Sequence, residues 1–172
     1  TYFESGSINE AKETLSIGLK LFSEMNNKRG LYLGDFLMAE IFLFNNEYKV
    51  GIERINKAIL FFEEINDTIY LIKSLILLSK LNRLNNNKEE ALLNLNKAKK
   101  LSSKINHTEF KTEVSIEENI CALQIDSKTN NLLKNIEGKT DETKAYIYFN
   151  ISKYNNDKES KSLSKNYYKE LY

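Results

Sequence analysis

The chain contains no proline and no tryptophan, one cysteine, one histidine and six glycines in 172 residues. Without proline, helices can run uninterrupted, because nothing removes a backbone donor or clashes with the preceding turn. Six glycines leave few sites for turns that need a left-handed backbone. The single cysteine, Cys121, excludes an intramolecular disulfide and fits a reducing, cytoplasmic compartment. No apolar run is long enough to span a bilayer; the best, residues 31–44, is broken by Gly34, Asp35 and Glu40. No signal peptide is legible. Neither sign of charge is in excess, since the net charge is +1 and the pI about 7.6. That balance lacks the basic footprint that holds a nucleic-acid backbone. Twenty-two lysines against three arginines, with abundant Asn and Ile, read as the residue usage of an AT-rich genome. At 41% hydrophobic and 28% charged residues, the chain can bury one sizeable core or one short repeat array.

A repeat is what the sequence contains. The phrase INKAILFFEEIND at 55–67 has near-copies forty residues away on either side, LSIGLKLFSEMNN at 15–27 and LNKAKKLSSKINH at 95–107. Small residues coincide at Ala11, Gly51 and Ala91, and again at Gly18, Ala58 and Ala98. Apolar residues coincide at Leu15, Ile55 and Leu95, at Leu21, Phe61 and Leu101, and at Met25, Ile65 and Ile105. Asn26, Asn66 and Asn106 close each copy. Steps of four, three, three and four put these positions on one helix face. Small residues two turns apart let a neighbouring helix approach closely.

Start signals precede the copies. Ser7 with Glu10 and Asn87 with Glu90 read as capping boxes, and Asp157 as a further N-cap. The segments before them, residues 31–45 and 70–85, lack breakers and are densely apolar. The junctions FNNE, LNNNKEE and YNNDKE are short polar turns. Each repeat is therefore a helix A, a turn and a helix B, with helices about 27 Å long. One such pair cannot bury both its faces, but a stack can. The expected fold is all-α, an α-α superhelix of antiparallel helix pairs forming one repeat domain. Its repeats are expected at about 1–27, 28–67, 68–107, 108–138 and 139–172. The pattern is already running at Thr1, so the chain is expected to be a piece of a longer protein. Apolar surface, and self-association through it, is expected at the N-terminal end.

The spacing resembles that of the tetratricopeptide repeat (TPR) family, whose helix A carries a large apolar, a small and an aromatic residue in order. Its helix B carries a small residue, a large apolar residue and another small residue. Met38, Ala39, Phe42, Gly51, Ile55 and Ala58 match that order. So do Leu78, Ser79, Asn82, Ala91, Leu95 and Ala98, with Asn82 in place of the aromatic. Tyr2, Ala11, Leu15 and Gly18 match the remainder of a first repeat. The period of 40 rather than 34, and the missing closing proline, resemble the longer-helix TPR variants of bacterial signalling ATPases, regulators and peptide receptors. The match is good over residues 1–106. Beyond that, a helix A over 108–127 carries Cys121, Ala122 and Ile125 in the signature places if three residues are inserted. A short helix B near 131–136 and a last helical pair over 141–172 complete the expectation.

Few groups offer chemistry. His107 falls in an inter-repeat turn and reads as solvated; Cys121 lies on an apolar helix face and reads as a buried, inert thiol. The pairs Glu63–Glu64, Glu89–Glu90 and Glu117–Glu118 diverge by about 100° on a helix and share no site. Phosphate loops, metal-ligand spacings and nucleophile elbows are absent from the sequence. No enzyme, cofactor or metal is expected.

What remains is a surface. The resemblance implies that the A helices line a groove. Leu33, Phe36 and Phe44 are the expected apolar floor, and Lys73, Lys80 and Arg83, with Ile76 between them, the expected cationic side. That combination suits an acidic-hydrophobic protein or peptide. The Lys, Asn and Arg set of the carboxylate-clamp TPRs is missing. The function expected is a protein- or peptide-interaction scaffold within a larger bacterial regulatory protein. The alternative is a signal-peptide or small-ligand sensor whose helix packing shifts on binding.

Overall fold

A computed structural model describes residues 5–105, 108–126, 140–155, 162–164 and 166. Among these, every regular element is a helix. They are α1 (Ser5–Glu24), α2 (Lys28–Phe44), α3 (Tyr48–Glu64), α4 (Thr68–Leu84), α5 (Lys88–Lys104), α6 (Thr108–Asp126) and α7 (Asp141–Asn155). The expectations at Tyr2, Asn106, His107, residues 131–136 and Asp157 lie outside the described residues.

Helices α2 to α5 each span 17 residues and are joined by three-residue turns. The turns are alike. Asn26, Asn46, Asn66 and Asn86, spaced by twenty, all adopt positive φ, between 51° and 63°. At Asn46 the amide bonds the carbonyl of Leu43 at 3.3 Å, and the next amide, Glu47, bonds that of Phe42 at 2.9 Å. The same pair of bonds recurs at Asn26, Asn66 and Asn86. This is the Schellman closure, normally a glycine's position; asparagine tolerates the left-handed backbone better than other side chains do.

The next helix starts at once. Asn27 caps α2 by accepting from the Gly30 amide at 2.9 Å, and Asp67 caps α4 by accepting from the Tyr70 amide at 3.2 Å. The expected capping box at Asn87 is corrected: Asn87 is the N-cap of α5 but makes no side-chain cap bond. Glu89 and Glu90 stand in the first turn instead and meet the positive end of the helix dipole. Ser7 lies inside α1, which already runs at Ser5.

By internal packing the chain divides into two compact units, residues 1–110 and 111–172. In the first, α2 packs on α1 and α3, and α4 packs on α3, α5 and α2. Its core joins Phe36 and Ala39 of α2, Ile55, Ala58, Phe61 and Phe62 of α3, and Leu77, Leu78 and Leu81 of α4. An aromatic series runs through it. Tyr32 stacks on Phe61 at 4.4 Å between centroids, Phe61 meets Phe62 edge-on, and Phe62 stacks on Tyr70 at 5.2 Å.

The small residues behave as contact points in repeats two and three. Gly51, Ala58, Ala91 and Ala98 are all buried, and a Cβ on Gly51 would stand 2.8 Å from Leu81. In the first repeat they do not: Ala11 and Gly18 are half-buried, and a Cβ on Gly18 would meet nothing within 4 Å. The positions 25, 65 and 105, expected on the inner face, are exposed in all three copies. Ile65 and Ile105 are C-cap residues, where the chain is already turning away from the helix face.

In the second unit Ile116 and Ile120 of α6 pack with Ile147 and Ile151 of α7. The Tyr146 hydroxyl donates to the fully buried carboxylate of Glu117, and Asn150 Nδ2 donates to the Tyr146 carbonyl at 2.8 Å. Ser164 Oγ donates to the Ala145 carbonyl at 3.1 Å. Cys121 is buried.

Candidate partner-binding surface

The A helices of repeats two and three, α2 and α4, touch each other directly. Forty-residue spacing pairs their positions: Leu33 with Lys73, Phe36 with Ile76, and Glu40 with Lys80. The sequence expectation treats Leu33, Phe36 and Phe44 as one floor, but the structure separates them. Phe36 is buried, 6.1 Å from the Tyr70 ring in an edge-on contact. Leu33 is half-buried against the same core, and only Phe44, 57% exposed, faces solvent. The cationic residues separate too. Lys73 is exposed, with Nζ 5.4 Å from the Tyr70 centroid. Lys80 is half-buried, and Ile76 and Arg83 are buried, Arg83 to 1% exposure. A guanidinium so deeply enclosed is an interior group and is not available to an incoming partner.

Two exposed residues escape the sequence reading. Leu37 stands one turn beyond Leu33 and two turns before Phe44, on the same side of α2; Ile69 stands one turn before Lys73 on α4. The sequence pattern carried that signal, but a helix apolar on every side hides which side is open.

Electrostatics concentrate at the start of α4. Arg29 Nη2 lies 2.8 Å from Asp67 Oδ2, and its guanidinium carbon lies 5.8 Å from the Tyr70 centroid. Asp67 thus caps α4 with one oxygen and holds Arg29 with the other, and both Arg29 and Lys73 lie within cation–π range of the Tyr70 ring. Between α2 and α3, Arg54 Nη1 donates to Asp35 Oδ1 at 2.7 Å, with Asp35 buried. Among the described residues no cluster of His, Cys, Asp and Glu can hold a metal ion, and no helix is long and apolar enough to cross a membrane.

No family model and no curated protein matches the chain. Among solved structures it is similar to RapI in its apo form, with a TM-score of 0.79 over 96% of this chain. The chain is a helical repeat protein. The identity to RapI is 19%, so the likeness bears on the fold, and the chain spans 61% of the RapI chain's length.

Proposed function

We propose that the chain is a TPR-type interaction module of a larger bacterial regulatory or signalling protein, working in the cytoplasm by binding rather than by catalysis. Its partner is an elongated protein or peptide segment with apolar side chains and carboxylates, bound along the A helices. The exposed stripe Leu37 and Phe44 of α2, with Ile69 and Lys73 of α4 beside it, carries this reading. Large apolar side chains on one side of adjoining helices suit docking, with a cation to meet a carboxylate. The forty-residue signature and the likeness to RapI support the family assignment.

The test starts with proteins retained by the immobilised chain from lysate, each then titrated as a purified partner. Phe44→Ala is expected to weaken binding about tenfold or more, the behaviour of an apolar anchor. Lys73→Glu is expected to slow association, with added salt acting in the same direction. If both variants bind as the native chain does, the A-helix surface is not the interface.

A further inference from the structure

Helix α2 lies against α3 and α4, and the three share one core. Phe36 and Ala39 of α2 cluster there with Ile55, Ala58 and Phe61 of α3 and Leu77 of α4, and Tyr32 of α2 stacks on Phe61. Forty residues earlier, those α3 and α4 positions fall on α1 and α2 as Leu15, Gly18, Leu21 and Leu37. Their burial differs. Ala58 is fully buried, whereas Gly18 is half-buried and a Cβ on it would meet nothing within 4 Å. Phe61 is 8% exposed and Leu21 51%; Leu77 is 6% exposed and Leu37 46%. Among the described residues, α1 and α2 thus expose the positions that cluster with α2 one repeat later.

The open side of α1 is an apolar trough with an acidic border. Leu21, Thr14 and Gly18 fall within an arc of about 60° on the helix, with the exposed Ile17 beside them. Gly18 has no side chain, so the backbone of an incoming helix can come close there. Glu10, Glu13 and Glu24 are exposed on α1 against one exposed lysine, Lys20. Lys12 is half-buried and engaged, 3.5 Å from Glu47 Oε1 and over the Phe42 ring. Thr14 stands where Arg54 holds the buried Asp35 one repeat later, so an incoming helix needs no acid at that place.

What covers α3 shows what fits α1. The side of α2 in that core carries Tyr32, Phe36 and Ala39, two aromatics and then a small residue at i, i+4 and i+7. A second copy of the chain does not suit the trough. It would bring the same acids, and a second hollow where a ridge is needed. A helix with the α2 stripe, and with lysine or arginine along its flank, meets both the shape and the charge. We propose that the open side of α1 docks a basic amphipathic helix of a partner protein, as α2 docks on α3. This site goes beyond the A-helix surface, since it is built on α1 and shares only Leu37 with that surface.

The probe is a labelled 17-residue peptide, the length of α2. It carries tyrosine, phenylalanine, alanine and leucine at the spacing of Tyr32, Phe36, Ala39 and Leu43, with lysine and alanine elsewhere. A second peptide has glutamate in place of lysine. Each is titrated with the full chain and read by fluorescence anisotropy. The lysine peptide is expected to saturate at micromolar concentration, and the glutamate peptide to bind about tenfold more weakly at low salt. Leu21→Ser should weaken the lysine peptide about tenfold. Gly18→Leu should do the same with the thermal melt kept, because the new side chain enters open space yet fills the trough. Mere apolar adhesion would instead grow stronger with the added leucine. If Gly18→Leu does not fold, Leu21→Ser decides the matter. None of these outcomes bears on the A-helix surface, which is read through Phe44 and Lys73. The inference falls if the lysine peptide does not saturate, if the glutamate peptide binds as tightly, or if either variant binds as well as the native chain. It also falls if sedimentation shows the chain to be a dimer that Leu21→Ser makes monomeric, since a second copy then holds the trough.

Discussion

Asn26, Asn46, Asn66 and Asn86 hold a backbone that costs most side chains about 1–2 kcal/mol, and they hold it at every turn between α1 and α5. Asn46→Ala or Asn66→Ala should lower stability by about 1 kcal/mol in a denaturant melt, and glycine at either place should be neutral or stabilising. Equal losses for alanine and glycine would show that the asparagine side chain, not the backbone, does the stabilising. The scarcity of glycine points away from left-handed turns, yet the NN pairs supply them. The pairs stand in the sequence, but as polar turn residues they do not announce which asparagine takes positive φ. Arg54 is a second residue-scale case. Removing it as Arg54→Ala strands the buried Asp35 carboxylate and should cost about 1–3 kcal/mol, since Arg54 itself is partly solvated. Replacing both partners, Asp35→Leu with Arg54→Met, should recover most of that loss in the same melt. The pair was illegible in the sequence because its members lie 19 residues apart, outside any local helical rule.

At the scale of the helix, α1 and α2 come together over two glycines one turn apart. A Cβ on Gly30 would stand 2.6 Å from the Phe22 ring, and one on Gly34 would stand 2.5 Å from Leu19 Cδ2. The end of a leucine can rotate away, whereas a packed ring must move as a whole. Gly34→Ala should therefore be close to neutral, its helix-propensity gain of about 1 kcal/mol offsetting the shift of Leu19. Gly30→Ala should lose about 1–3 kcal/mol by overpacking. Thermal melts of the two variants separate these outcomes. On α5, Ala91→Leu and Ala98→Leu enlarge buried small residues and should each cost about 1–3 kcal/mol; unchanged melting for both would refute the contact register. This register was legible from the forty-residue recurrence, because small residues two turns apart have few other reasons to recur. The openness of each helix side was not, since burial depends on which neighbours arrive. Phe36 and Phe44 look alike in the sequence, yet one is a core residue and the other a surface one.

Across the first compact unit, protection should follow neighbours. Helix α4 has α2, α3 and α5 packed against it, whereas α1 packs on α2 and exposes Ile17 and Leu21. In stacked repeats stability is a sum of repeat and interface terms. Amide exchange should accordingly be slowest in α4 and fastest in α1 among residues 5–105, and the reverse order would contradict a neighbour-by-neighbour stack. The sequence made the repeating architecture plain because repeats two and three bury the same small and apolar positions. The candidate surface was less plain because it is written by departures from the repeat, such as Lys73 where Leu33 stands one repeat earlier, and a departure has no second copy to confirm it.

The twenty-residue rhythm of the turns and the forty-residue rhythm of the faces set a parity rule on copy number. Every turn between α1 and α5 closes alike, so a duplicated block of twenty residues, such as a second 48–67, would join smoothly at both ends. It would nevertheless deliver α4 where a B helix belongs, with Leu71 and Leu78 at the places where Gly51 and Ala58 supply small residues. A duplicated 28–67 keeps both rhythms. Tandem duplication can thus lengthen this array only in pairs of helices, and gene lengths that differ by an odd number of turns should encode unfolded chains.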